Sequence, residues 1–168
     1  MKTIMHFICA AVAISLAFTS CDKDEKNESS EKTALEGKWV HSERTGYDNN
    51  GYADRVESFT FKGNTFILES TETGVNPYGE SWGYGHKLTG TFTCTESTFT
   101  IKVEKFYGFN NGDKQFDWHE YDEGSVGQSF TFSYQIEEGH SLGVTAPREF
   151  ALGGGSYLGD NQAWYAKE

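Results

Sequence analysis

The amino-acid sequence predicts an all-β protein, an antiparallel up-and-down barrel of eight or nine strands. After the first 33 residues, apolar side chains recur at every second position, and helical periodicity is nearly absent. Phe59 and Phe61, for example, alternate with Ser58, Thr60 and Lys62. Because successive side chains of a strand point to opposite faces, this alternation indicates strands with one apolar and one solvated face.

Each alternating run is predicted to be a strand, and turn-forming residues separate the runs. The predicted strands are 38–47, 52–62, 65–72, 82–95, 98–107, 114–121, 128–137, 140–146 and 161–167. Asn50-Gly51 and Gly63-Asn64 are the strongest hairpin signals, because tight two-residue turns need positive φ. Further reversals are expected at 96–97, 110–113 and 138–140.

Consecutive strands joined by short hairpins are most simply closed into a barrel, because closure removes the exposed edges of a flat sheet. A two-sheet sandwich is the alternative, since the connections at 71–81, 122–127 and 147–160 are long enough to cross between sheets. Residues 34–168 are of ordinary single-domain size. The sequence therefore predicts one β domain.

Residues 1–20 are predicted to be a lipoprotein signal peptide. Lys2 precedes an apolar run, residues 4–18, that is shorter than the ~20 residues of a membrane-spanning helix. The segment from Phe18 to Cys21 resembles the lipobox of bacterial lipoproteins, which implies that Cys21 is lipidated and that its lipid binds the membrane. An ordinary secretory signal with an incidental cysteine is the alternative.

Residues 21–33 are predicted to be a disordered acidic tether, because they are polar and charged and have no apolar surface to bury. Their start, Cys21-Asp22-Lys23-Asp24-Glu25, resembles the surface-export signal of lipoproteins from one Gram-negative phylum. The resemblance implies an outer-membrane lipoprotein that is exposed at the cell surface. Retention in the inner membrane is the alternative, since an Asp after the lipidated cysteine has that effect in enteric bacteria.

The net charge of −11 argues against nucleic acid as a partner, because phosphate contacts require Lys and Arg. Without Cys9 and Cys21, Cys94 is the one cysteine left in the mature domain, so no intramolecular disulfide is expected. Cys94 shares the apolar face of Phe92 and is predicted to be an inert core thiol.

Leu35-Glu36-Gly37-Lys38-Trp39 resembles the Gly-x-Trp signature that opens lipocalins. The later order of segments is similar to the lipocalin-like domains of small exported lipoproteins: an Asn-Gly hairpin, Ser-Phe-Thr-Phe, Gly-Asn-Thr-Phe and an aromatic last strand. The resemblance covers residues 34–168 and implies a barrel with Trp39 packed across one end. Two later lipocalin signatures are not visible, so the ligand chemistry of that family is not carried over.

No catalytic or metal-binding signature is visible, and the protein is expected to be non-enzymatic, without cofactor or metal. The four histidines after residue 40 lack metal-ligand spacing, and the acidic run 117–123 is interpreted as a solvated strand. Residues 48–54 are interpreted as a turn, because Ala53 stands where a calcium loop needs its Gly and no Glu follows at the twelfth position. A carboxylate-dependent hydrolase is the enzymatic alternative, although no Asp or Glu pair stands out.

Four aromatic residues beside Gly-rich or long connections are the candidate ligand-binding residues: Trp82, Tyr84, Trp118 and Tyr121. Flat rings near carboxylates suit a sugar or another small amphipathic molecule. At one mouth of the barrel they would form a single aromatic patch, with Glu80 and Asp117 at its rim. The alternative is that these rings pack as plugs of the barrel.

The sequence therefore predicts a non-enzymatic surface lipoprotein whose barrel binds a ligand. Three classes remain open: a small-molecule binder using the barrel interior, a structural module that contacts a glycan or protein through aromatic loops, and the hydrolase. A hollow interior favours the first class, and exposed Trp82 and Trp118 favour the second. Two facing carboxylates in a cleft favour the third.

Overall fold

The computed structural model of the protein describes residues 32, 34–46, 51–109, 117–122, 124–138, 140–150 and 162–168. The predicted signal peptide, Cys21 and nearly all of the predicted tether lie outside these residues. Within them, no helix is both long enough and apolar enough to cross a membrane. The strands are β1 Gly37–Gly46, β2 Tyr52–Lys62, β3 Thr65–Val75, β4 Ser81–Cys94, β5 Thr98–Phe109, β6 His119–Tyr121, β7 Ser129–Glu137, β8 Ser141–Thr145 and β9 Ala163–Lys167.

Eight of these strands close into an antiparallel up-and-down barrel. Neighbours pair in the order β1-β2-β3-β4-β5-β7-β8-β9, and β9 returns to β1 through the pairs Trp39–Lys167 and Val40–Ala166. The remaining strand, β6, lies outside the barrel order and pairs with the second half of β5. The predicted barrel is confirmed, and the sandwich alternative is wrong because the sheet is continuous and closed.

A bulge between β4 and β5 lets β5 pair with β7 along its first half and with β6 along its second half. The register of these strands shifts between Thr89 and Gly90, and a Cβ at Gly90 would lie 2.0 Å from the Lys102 carbonyl oxygen. Beyond the bulge β5 leaves β7, with which it pairs over residues 98–102, and pairs instead with β6 over residues 106–108. Only glycine permits the backbones to approach this closely.

Aromatic rings fill one half of the barrel interior. Phe61 contacts Phe92 at 4.8 Å between ring centroids, and Phe99 stacks on Phe132 at 4.9 Å. Cys94 is buried in the same cluster, as predicted. This half of the barrel is therefore packed with aromatic side chains.

The described residues before β1, 32 and 34–36, pack against this end of the barrel, which we call the closed end. Leu35 is fully buried, and the carboxylate of Glu36 accepts a hydrogen bond from the Gly63 N–H of the β2–β3 turn at 2.9 Å. Trp39 is 0% exposed and donates its indole N–H to the Leu35 carbonyl at 2.7 Å. The predicted burial of Trp39 at the entry of the first strand is confirmed.

Candidate functional site

Along β1–β4, the inward-facing positions beyond the closed end carry mostly polar side chains. On β2, for example, Glu57 and Arg55 follow Phe59 at two-residue steps, so they share its inward face. We call the opposite end of the barrel the polar end. Its inward-facing residues on β1–β4 form the polar interior: His41, Glu43, Arg55, Glu57, Ser70, Glu72, Trp82, Tyr84 and His86.

Glu72 joins three strands in the polar interior. Its Oε2 accepts hydrogen bonds from Arg55 Nε at 3.0 Å, Arg55 Nη2 at 2.8 Å and the Tyr84 hydroxyl at 2.5 Å. Arg55 and Tyr84 lie directly opposite Glu72 on β2 and β4. Because charge-assisted hydrogen bonds are short and strong, this network fixes all three side chains.

Among the described residues, no donor bonds Oε1, the second carboxylate oxygen of Glu72. Glu72 is only 7% exposed, yet its Oε1 accepts no hydrogen bond from the residues that the structure describes. A buried acceptor without a partner costs about 1–3 kcal/mol, and buried polar groups nearly always find one. This oxygen can therefore accept a further hydrogen bond.

A second buried carboxylate lies one layer deeper. Glu57 is 0% exposed and accepts a hydrogen bond from the Tyr165 hydroxyl of β9. His41 stands opposite Glu57 on β1, and its Nδ1 bonds the Trp164 carbonyl at 2.6 Å. Since a carbonyl oxygen only accepts, Nδ1 carries the proton, and Nε2 is the acceptor in the neutral ring.

Two of the predicted aromatic residues line the polar interior together. Trp82 and Tyr84 are half-buried, and their rings are nearly parallel with centroids 5.9 Å apart. The indole of Trp82 lies over Gly74 of β3, where a Cβ would come within 2.9 Å of the ring. Glycine at this position therefore lets the indole lie against the barrel wall.

Trp118 lies elsewhere, on the outer face of the barrel wall. Its ring contacts Phe109 edge-on at 4.8 Å, and the ammonium of Lys87 lies 4.4 Å from its centroid. Lys87 neighbours the core residue Leu88 on β4 and so faces away from the interior. The predicted single aromatic patch is therefore divided, because Trp82 and Trp118 lie on opposite faces of one sheet.

Tyr121 and the predicted rim residues occupy three different places. Tyr121 is 40% exposed and packs edge-on against Phe106, with 6.3 Å between ring centroids. Glu80 belongs to the β3–β4 turn, where its carboxylate accepts a hydrogen bond from the Asn76 amide at 2.9 Å. Asp117 is exposed beside Trp118. A role in binding stays a prediction for each of these residues.

The charged members of the polar interior were not among the predicted site residues. Arg55, Glu57 and Glu72 nevertheless continue the inward-facing steps from Phe59 and Leu68. Continuing those steps along each strand would have found them. Ser70–Thr73 is polar at every position, so its composition alone shows no inward face.

Two further hollows lie beside β5. A cavity of about 190 Å³ is lined by Leu88, Phe106, Ser125, Gln128, Phe130, Glu149 and Phe150. A surface groove of about 420 Å³ is lined by Glu104, Lys105, Glu120, Tyr121, Asp122 and Val126. Among the described residues, no group of three or more His, Cys, Asp or Glu side chains is arranged to hold a metal ion.

No model of a known protein family matches the chain, and no curated protein matches it. The fold alone does not determine function, since one barrel architecture supports many activities. The polar interior is therefore the feature of this chain that bears on its function.

Proposed function

We propose that the protein binds a small polar molecule in the polar interior of its barrel and catalyses no reaction. In this proposal it is a lipocalin-like lipoprotein of the cell envelope, anchored through a lipid on Cys21 and displayed at the cell surface. Binding of a sugar through Trp118 on the outer face is the alternative that the same experiment tests.

The observation that carries the proposal is the partly buried Arg55–Glu72–Tyr84 network beside Trp82. Removing charges from water is expensive, and a well-packed apolar core is often as stable as a buried ion pair or more so. The closed end shows that this barrel can pack such a core. Charges inside the other end are therefore better explained by recognition of a ligand than by stability.

The surroundings of this network suit a small ligand. Arg55 is 34% exposed along its side chain, so the network is accessible from solvent while Glu72 is almost covered. Trp82 and Tyr84 add flat apolar surface next to the charges. A few placed polar groups next to aromatic surface are typical of small-molecule sites.

A thermal-shift screen tests the proposal. A ligand at 100 times its Kd adds about 2.7 kcal/mol to stability, which raises the melting temperature measurably. A panel of amines, amino acids, sugars, nucleosides and organic acids is compared on wild type, Trp82→Ala and the outer-face control Trp118→Ala. Stabilisation that Trp82→Ala abolishes and Trp118→Ala preserves supports the proposal. Stabilisation lost only in Trp118→Ala would place binding on the outer face and contradict it.

A carboxylate-dependent hydrolase is a second candidate, favoured by one observation. Glu57 and Glu72 are the two buried carboxylates among the described residues, and they lie on neighbouring strands, where Glu57 pairs with Ser70 two positions before Glu72. Hydrolysis of nitrophenyl glycosides by wild type, lost in both Glu57→Gln and Glu72→Gln, would establish this activity. Equal rates in wild type and both variants would exclude it for these substrates.

A further inference from the structure

The charge inside the polar interior is unbalanced. Its charged side chains are three carboxylates and one guanidinium: Glu43, Glu57, Glu72 and Arg55. With neutral histidines the formal balance is −2. A molecule that enters this space meets an excess of negative charge, inside a chain that already carries −11 overall. An anion would be repelled there, and a cation would be attracted.

The carboxylate of Glu72 can also accept a further hydrogen bond from a ligand. Ionised carboxylates only accept hydrogen bonds, and the Oε1 atom of Glu72 is buried without a donor among the described residues. Arg55 already donates two hydrogen bonds to the other oxygen of Glu72. Glu72 Oε1 therefore has no donor among the described residues, and a suitable ligand supplies an N–H or O–H group to it.

The aromatic pair beside this carboxylate favours a donor that is also positively charged. Trp is the strongest cation–π partner among the side chains, and Tyr also attracts cations. Trp82 stacks on Tyr84, and the hydroxyl of Tyr84 donates to Glu72, so the rings and the carboxylate are neighbours. The barrel uses the same contact outside, where the Lys87 ammonium lies 4.4 Å from the Trp118 ring centroid.

From these observations we infer that the ligand of the polar interior is an organic ammonium cation with an apolar or aromatic body. Its ammonium group donates to Glu72 Oε1, and its body packs on the rings of Trp82 and Tyr84. This inference rests on the proposed function, because it specifies the ligand class of the same site.

Isothermal titration of the full protein with four matched probes tests the inference. Phenethylammonium carries the charge, N-acetylphenethylamine keeps the ring without the charge, 3-phenylpropionate reverses the charge, and methyl β-glucoside is a neutral polyol. We expect phenethylammonium to bind about tenfold or more tightly than each of the others, because a hydrogen bond to a charged group contributes about 1.5–3 kcal/mol.

Two variants connect that binding to the site. Glu72→Gln should weaken phenethylammonium binding about tenfold or more, since the amide removes the negative charge that the ammonium meets. Glu43→Gln removes a negative charge at an exposed position outside the Arg55–Glu72–Tyr84 network, so it keeps the test valid if Glu72→Gln unfolds. It should weaken binding severalfold. Glu120→Gln, in the outer ion pair with Lys105, is the control and should bind as wild type does.

The outcomes separate the inference from the proposed function. If methyl β-glucoside or 3-phenylpropionate binds more tightly than phenethylammonium and Trp82→Ala abolishes that binding, the cation inference is overturned and the proposed function stands. If phenethylammonium and its acetylated analogue bind equally, or neither binds, the cation inference is also overturned. Phenethylammonium binding that Trp82→Ala leaves unchanged would overturn both.

Discussion

At the scale of single residues, the four tryptophans occupy four different environments. Trp39 is fully buried at the closed end, and Trp82 lies half-buried in the polar interior. Trp118 packs on the outer wall under Lys87, and Trp164 is 36% exposed on β9. Because each reports on a separate part of the barrel, substitutions at these positions distinguish stability from binding.

Trp39→Ala should strongly destabilise the protein. Truncating a buried Trp typically costs about 3–5 kcal/mol of unfolding free energy, out of the ~5–15 kcal/mol of a native domain. Urea unfolding measures the loss, with Trp164→Ala as the matched surface control, for which we expect a change within about 0.5 kcal/mol. Equal midpoints for the two variants would contradict the packing described for the closed end.

Asp54 should titrate below its ordinary range. The Arg44 guanidinium donates hydrogen bonds to both carboxylate oxygens of Asp54, at 2.5 and 2.6 Å, and this lowers the pKa of Asp54 from 3.8. A depressed carboxylate pKa stabilises the fold above the unfolded-state pKa, and this contribution is lost as pH falls through the folded value. NMR titration should give a pKa below 3.8 that Arg44→Ala raises. An unchanged value in the variant would show that the ion pair does not form.

At the scale of the strands, the sequence allowed most boundaries to be predicted closely. The strand predicted at 52–62 is found at Tyr52–Lys62, because apolar and polar side chains alternate along its whole closed-end half. The third strand was predicted to end at residue 72 and continues to Val75. It was predicted too short because polar residues face both inward and outward there, which removes the alternation.

The polar interior was harder to predict than the strands that carry it. Trp82 and Tyr84 were chosen as binding residues from their Gly-rich surroundings, and the structure places both inside the barrel. Glu72 and its partner Arg55 are 17 residues apart in sequence and meet only through the β2–β3 register. The predicted Gly63-Asn64 turn sets that register, but only the closed barrel turns this face inward and brings Tyr84 of β4 to the same carboxylate.

Gly90→Ala should destabilise the barrel at its bulge. A Cβ at this position would lie 2.0 Å from the Lys102 carbonyl oxygen, so β4 and β5 would have to separate locally. We expect a loss of about 1–3 kcal/mol in unfolding free energy. Gly46→Ala is the control, because a Cβ there meets nothing within 4 Å. If both variants unfold at the same urea concentration, β4 and β5 do not approach each other as described.

At the scale of the whole molecule, the barrel has two unlike ends. The described N-terminal residues, 32 and 34–36, join the barrel at its closed end, where the Lys32 ammonium donates a hydrogen bond to the Asn64 side chain at 3.2 Å. A lipid on Cys21 would therefore tether the molecule from the closed end. The polar end would then lie away from the tether.

Cys21→Ser should release the protein from the membrane fraction. Each buried CH₂ of an acyl chain contributes about 0.8 kcal/mol to membrane binding, so losing the lipid removes the proposed anchor. Fractionation and immunoblotting measure the release, and Cys94→Ser serves as the control cysteine. Protease treatment of intact cells tests display separately. Membrane association that is unchanged in Cys21→Ser would contradict the lipoprotein assignment.

The most direct test of the central claim, binding in the polar interior, follows the indole N–H resonances of the four tryptophans by NMR. The compound that stabilises the protein most is titrated into the ¹⁵N-labelled full chain, and single Trp→Phe variants assign the signals. We predict that the Trp82 resonance shifts with saturation, while those of Trp39, Trp118 and Trp164 stay in place. A saturable shift of Trp118 or Trp164 with Trp82 unmoved would place the ligand on the outer face and contradict the account.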